Sequence, residues 1–127
     1  MKTHFHLLVN NIALDGITKL MRRVLTNYTY YFNKKYSRQG PLFQGGYRAV
    51  LIKSDSHFIQ VCRYIHLNPV KDRIVKFAKD YEFSSIHKYL YRKNCKWFKR
   101  DEFLQKETDF AHIEKYADYV SDYDKAI

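Results

Sequence analysis

An α+β fold is predicted for this chain of 127 residues by three observations. Residues 4–9 read His-Phe-His-Leu-Leu-Val, an apolar run with polar side chains at alternate positions, which is strand periodicity. Residues 47–53 alternate likewise and are rich in Ala, Val, Leu and Ile. Between and after these runs, Ile17 to Phe32 and Phe58 to Ile65 repeat apolar residues at three- and four-residue spacing, as amphipathic helices do. A chain of this size supports one hydrophobic core, so 1–127 is expected to form a single domain with a peripheral helical tail over 100–127.

The first run ends at the turn-like pair Asn10-Asn11. Side chains two apart share a face of a strand, so His4 and His6 project together while Phe5, Leu7 and Val9 face the other way. Such a pair is either a metal half-site or two ordinary polar positions. After Asp15-Gly16, a stripe through Ile17, Leu20, Met21, Val24, Leu25, Tyr28, Tyr31 and Phe32 defines a long helix, with Lys19, Arg22, Arg23, Lys34 and Lys35 mostly on its other faces. Residues 36–46 hold three glycines and a proline and read as a loop able to approach a phosphate backbone closely. The second strand follows near 46–53. Ser54-Asp55-Ser56 then offers capping side chains for a helix whose apolar positions are Phe58, Val61, Cys62 and Ile65.

Within that helix Tyr64 and Asn68 stand four residues apart, one above the other, and can face one site. Read plainly, they are a half-buried core tyrosine and a C-terminal cap. Pro69 disfavours the α conformation at Asn68, so the helix is expected to fray there. Residues 70–81 form a short turn or helical piece, and Ser84-Ser85 can cap a helix through Ile86, Tyr89, Leu90 and Tyr91 that ends near Asn94. Trp97 and Phe98 are expected as packing anchors, and Phe103 to Val120 as two short helices.

The balance of 23 Lys+Arg against 13 Asp+Glu gives a formal charge of +10, alongside 12 Tyr and 9 Phe. Cationic charge attracts phosphates through counterion release, and aromatic rings give unpaired bases a surface to stack on, so nucleic acid is the expected partner. No apolar run approaches the roughly 20 residues that cross a bilayer, and the start lacks the features of a signal peptide. Cys62 and Cys95 have neither metal-site spacing nor the pattern of a disulfide framework, which fits a reducing, cytoplasmic setting.

Three stretches, in this order, resemble one family: His4-Phe5-His6-Leu7-Leu8-Val9, Gly40-Pro41-Leu42-Phe43-Gln44-Gly45, and Arg63-Tyr64-Ile65-His66-Leu67-Asn68-Pro69-Val70. The chain is similar in them to HUH-type single-tyrosine transposases of the insertion-sequence and REP-associated group. The similarity extends to Tyr81-Glu82-Phe83-Ser84-Ser85. It implies that His4 and His6 are paired metal ligands, that Asn68 is the third, and that Tyr64 attacks DNA. The implied cofactor is a divalent metal, Mg²⁺ or Mn²⁺, and the implied substrate is single-stranded or hairpin-containing DNA, cleaved and rejoined through a 5′-phosphotyrosine. The resemblance also implies the C-terminal half of a ferredoxin-like βαββαβ fold with additional C-terminal helices. The family's preceding strand, helix and strand have no counterpart here, so a homodimer or partner fragment is one expected way to complete the sheet.

Candidate DNA contacts are Arg38, Gln39, Gln44 and Arg48 around the glycine loop, with Lys71 and Arg73 after the tyrosine. Each is alternatively an ordinary solvated polar group. Gly46 stands where the family usually has a basic residue, which would weaken one contact. His66, two residues from Tyr64, points in a different direction on a helix and is expected at the surface or against DNA rather than as a base. Two other readings stay open: a truncated, catalytically inactive DNA-binding relic of the family, and a basic nucleic-acid-binding module of another kind.

Overall fold

The computed structural model describes residues 3–90, Tyr89 by its backbone alone. The expectations for Tyr91 to Asn94, Cys95, Trp97, Phe98 and the tail over 100–127 lie outside the described residues. Within them the elements are α1 (Gly16–Lys35), α2 (Asp55–Lys71), a 3-10 turn at Ala78–Asp80 and α3 (Ile86–Leu90). Both expected strands are absent among the described residues, so the α+β assignment and the ferredoxin-like βαββαβ half are corrected to a helical architecture. A strand is held by its ladder to a neighbour. Residues 4–9 and 47–53 have the side-chain pattern but no described partner for their backbones, and Phe5, Leu7, Val9, Val50 and Leu51 are exposed rather than laid against a core.

The chain divides into two compact units, one of residues 3–7 and 52–90 within the described range, the other Leu8–Leu51. The second unit is built on α1. Lys34 and Lys35 in its last turn suit the negative end of the helix dipole. Asp15 precedes it in the left-handed region at φ 57° and makes no side-chain cap, but its carbonyl accepts the Lys19 N–H at 2.9 Å. At the other end Ser37 is left-handed at φ 50°, and the Arg38 N–H returns to the Asn33 carbonyl at 2.9 Å, the six-to-one closure of a Schellman cap. The loop that follows is held to the same helix end. Asn33 Nδ2 donates to the Gly40 carbonyl at 2.8 Å, while Arg38 donates to Asn33 Oδ1 at 3.2 Å and to the Pro41 carbonyl at 3.0 Å. Gly40, at φ 88°, takes a conformation that side-chain-bearing residues rarely adopt.

The first unit is built on α2. Ser54 Oγ accepts the His57 N–H at 3.2 Å, the expected N-cap, and Asp55 and Lys71 complement the dipole at the two ends. Pro69 does not end the helix, contrary to the expectation from sequence. It lies in the last turn, where its missing N–H removes one bond while the carbonyls around it find other donors. The Asp72 N–H bonds to the Asn68 carbonyl at 2.9 Å, Arg73 to Val70 at 2.9 Å and Ile74 to Pro69 at 2.9 Å. The last two bonds, with Arg73 left-handed at φ 55°, make a full Schellman motif in the position where glycine is commonest. The helix packs on the 3-10 turn, which in turn packs on α3. Cys62, Leu67, Ala78 and Ile86 form the buried apolar centre, with Pro69, His66 and Asn68 buried beside them. Ser84 Oγ accepts the Ile86 N–H at 3.2 Å and so caps α3, as its sequence indicates.

Candidate active site

His4, His6, Tyr64 and Asn68 all belong to the unit built on α2, and three of them meet. The His4 and His6 rings meet edge to face with centroids 5.1 Å apart, and the His6 ring meets Tyr64 edge to face at 5.3 Å. Thr3 Oγ1 shares a hydrogen bond of 3.2 Å with His4 Nδ1, an outer contact of the kind that fixes an imidazole's tautomer and orientation. On the helix side Tyr64 is half exposed, with Lys71 Nζ 6.0 Å from its ring centroid. Asn68, one turn on, is 4% exposed. It therefore lies deeper than the frayed end expected from Pro69, because α2 continues past it.

Two buried polar atoms here have no hydrogen-bond partner among the described residues, His6 Nε2 and Asn68 Nδ2. Polar atoms left unbonded inside a protein are costly, and a bound ion is one way such groups are satisfied. Turning the Asn68 carboxamide over exchanges Nδ2 for Oδ1 at almost unchanged positions, and Oδ1 is the atom that can ligate. Burial first, then the neighbouring His4, depress the pKa of His6, while Asp72 acts in the opposite sense. His6 is therefore neutral at neutral pH, the form in which imidazole binds metals. Two imidazoles and a carboxamide make a neutral donor set that fits a divalent ion and leaves it open positions. Among the described residues no three His, Cys, Asp or Glu side chains cluster as a metal site.

Asp72 has no place in the sequence reading. Its signal was present, since Tyr64, Asn68 and Asp72 step by four and share a helix face. His66 corrects another expectation. It is 2% exposed, shares a hydrogen bond of 2.9 Å with Ser85 Oγ, and its pKa is pushed down to about 4 by burial, so it is neither a surface group nor a DNA contact. Its role is to join α2 to the segment that caps α3.

Of the proposed DNA contacts, Lys71 stands against Tyr64 and Arg73 is exposed in the left-handed cap residue of α2. Arg38, Gln39, Gln44 and Arg48 belong to the unit built on α1 and are all exposed. Arg38 commits two of its donor groups to the loop beside it. No helix among the described residues is long and apolar enough to cross a membrane. Comparison with known proteins adds no relative: no family model, no curated protein and no solved structure matches the chain.

Proposed function

We propose that this protein is a metal-dependent transposase-type nuclease that cleaves and rejoins single-stranded DNA, with Tyr64 as the nucleophile. The observation that carries this reading is the meeting of Tyr64 with His6, distant in sequence, where the buried His6 Nε2 has no hydrogen-bond partner among the described residues. The resemblance of the three motifs to HUH-type single-tyrosine transposases supports the same assignment. His4, His6 and Asn68 would hold a divalent ion, Mg²⁺ or Mn²⁺, whose contribution when bound is Lewis-acid polarisation of the phosphodiester.

The chain's own groups account for the rest. Tyr64 Oη attacks phosphorus. An Oη–P bond forms as the P–O3′ bond breaks, the phenolic proton passes to solvent, and the departing 3′ oxygen takes up a proton. The products are a 5′-phosphotyrosine and a 3′ hydroxyl, and reversal with another 3′ hydroxyl rejoins DNA without ATP. Lys71 adds positive charge where the phosphate must sit. A half-exposed tyrosine is open to an unpaired strand, which reaches it without duplex opening.

The test is incubation of the full chain with Mg²⁺ or Mn²⁺ and labelled hairpin-flanked single-stranded DNA, followed by denaturing electrophoresis. A covalent adduct that is lost in Tyr64→Phe is expected; no adduct with either metal would sink the catalytic reading. One observation favours the second reading, a catalytically inactive DNA-binding relic: His4 and His6 lie on a segment that pairs with no strand among the described residues.

A further inference from the structure

The C-terminal half of α1 carries a feature that the Tyr64 chemistry does not use. Tyr28, Tyr31 and Phe32 share one helix face by three- and four-residue spacing, and Tyr36 and Phe43 continue the array beyond the helix. Ring centroids fall 6.4 Å apart for Tyr28 and Tyr31, 6.2 Å for Tyr28 and Phe43, and 4.5 Å for Phe32 and Tyr36. Phe32 and Phe43 are half-buried and act as the floor, while Tyr31 and Tyr36 are 55% and 57% exposed. Lys35 Nζ stands 5.7 Å from the Tyr31 centroid and 5.5 Å from that of Tyr36, so a cation is held between two exposed rings.

Along the stretch of sequence that carries this array the charge has one sign. Between Asp15 and Asp55 the sequence holds no acidic residue, while Lys34, Lys35 and Arg38 stand among the rings and Lys19, Arg22 and Arg23 precede them. A second copy docked through this same face is a poor occupant, because it would bring like charge against like. An apolar protein partner leaves the cations unanswered. An occupant with planar faces and regular negative charge satisfies both, and only an unpaired nucleic acid strand offers its bases and phosphates together.

We propose that the exposed rings of Tyr31 and Tyr36, with Lys35 between them, form a stacking platform for single-stranded DNA, distinct from the Tyr64 site. The choice of DNA over RNA rests on the function proposed above; the platform itself does not. It would let the protein hold a strand of any sequence, since every base has a π-face.

The test is fluorescence anisotropy of the full-length protein with a labelled oligo(dT) strand, an oligo(U) strand and a duplex of equal phosphate count. Single-stranded DNA is expected to bind at least about tenfold more tightly than duplex. Tyr31→Leu and Tyr36→Leu, which keep apolar bulk at exposed positions but remove the ring, should each weaken binding by about fivefold or more, whereas Tyr31→Phe and Tyr36→Phe should not. Equal affinity for duplex, or Leu variants that bind like the parent, would overturn the platform. Tighter binding of oligo(U) would overturn the assignment to DNA. The covalent adduct is read by denaturing electrophoresis and strand affinity by anisotropy without added metal, so failure of the Tyr64 reading and failure of the platform are distinguishable.

Discussion

Lowering the pH from 7 to 5 should cost this protein about 2 kcal/mol of stability through His66 alone. Burial pushes the His66 pKa down to about 4 from its ordinary 6.5. Between those values the unfolded chain binds the proton and the folded chain does not, so stability rises with pH across that window. It is fully present above about 6.5, is lost as the pH falls, and the loss levels off near 3 kcal/mol below about 4. The cost comes from placing a charged imidazole at a site 2% exposed, not from losing the bond to Ser85, since a protonated Nε2 still donates to a hydroxyl. Ser85→Ala should therefore lower stability at every pH by about 1 kcal/mol while leaving the slope intact or steeper. His66→Gln should flatten it. The assay is urea unfolding followed by circular dichroism at pH 7, 6 and 5. His6 is shifted in the same direction, so the difference between parent and His66→Gln isolates one group. If parent and variant lose stability in parallel, His66 is not the group that titrates and the argument fails.

Three further substitutions probe the framework of the two units. Arg73→Gly should raise the urea midpoint, by about 0.5–1 kcal/mol of stability, because glycine carries no penalty at the left-handed cap of α2; if Arg73 also meets DNA, the same variant should bind more weakly. Ile86→Ala should cost about 2–5 kcal/mol in the same assay, since that side chain is the most fully buried apolar group described. Asn33→Ala removes the bonds to Gly40 and Arg38, and should free the 38–41 loop enough to speed tryptic cleavage after Arg38 several-fold, measured by mass spectrometry.

What the sequence made legible was local. The spacing of Ile17 to Phe32 defined α1, and Ser54 and Ser84 marked the starts of α2 and α3, because capping and amphipathic repeat are decided within a turn or two of the chain. The strands failed for the complementary reason. Alternation at 4–9 and 47–53 says which side chains would share a face, but a strand exists only where another backbone lies alongside, and that is a long-range fact. Pro69 misled in a similar way. Its local preference is to stop a helix, yet the orphaned groups of the last turn are recovered by Asp72, Arg73 and Ile74, whose return depends on a left-handed Arg73 that nothing in the sequence advertises.

For the site, spacing by four stacks Tyr64 and Asn68 along one side of α2, and carried one step further it reaches Asp72, whose charge is felt at His6. The same arithmetic said that His66 points elsewhere, and it does, but elsewhere proved to be the protein interior rather than solvent. A helix wheel gives directions without saying which of them is inside. The inward arc of α2 is the one through Cys62, His66 and Pro69, so the burial of these neighbours sets the direction of Tyr64, which stays half exposed against His6 and Lys71. That division matters for the nucleophile role proposed for Tyr64. A tyrosine that must reach an unpaired strand has to stay open to solvent, yet be fixed in direction, and anchoring the opposite face of its helix through His66 and Ser85 meets both requirements at once.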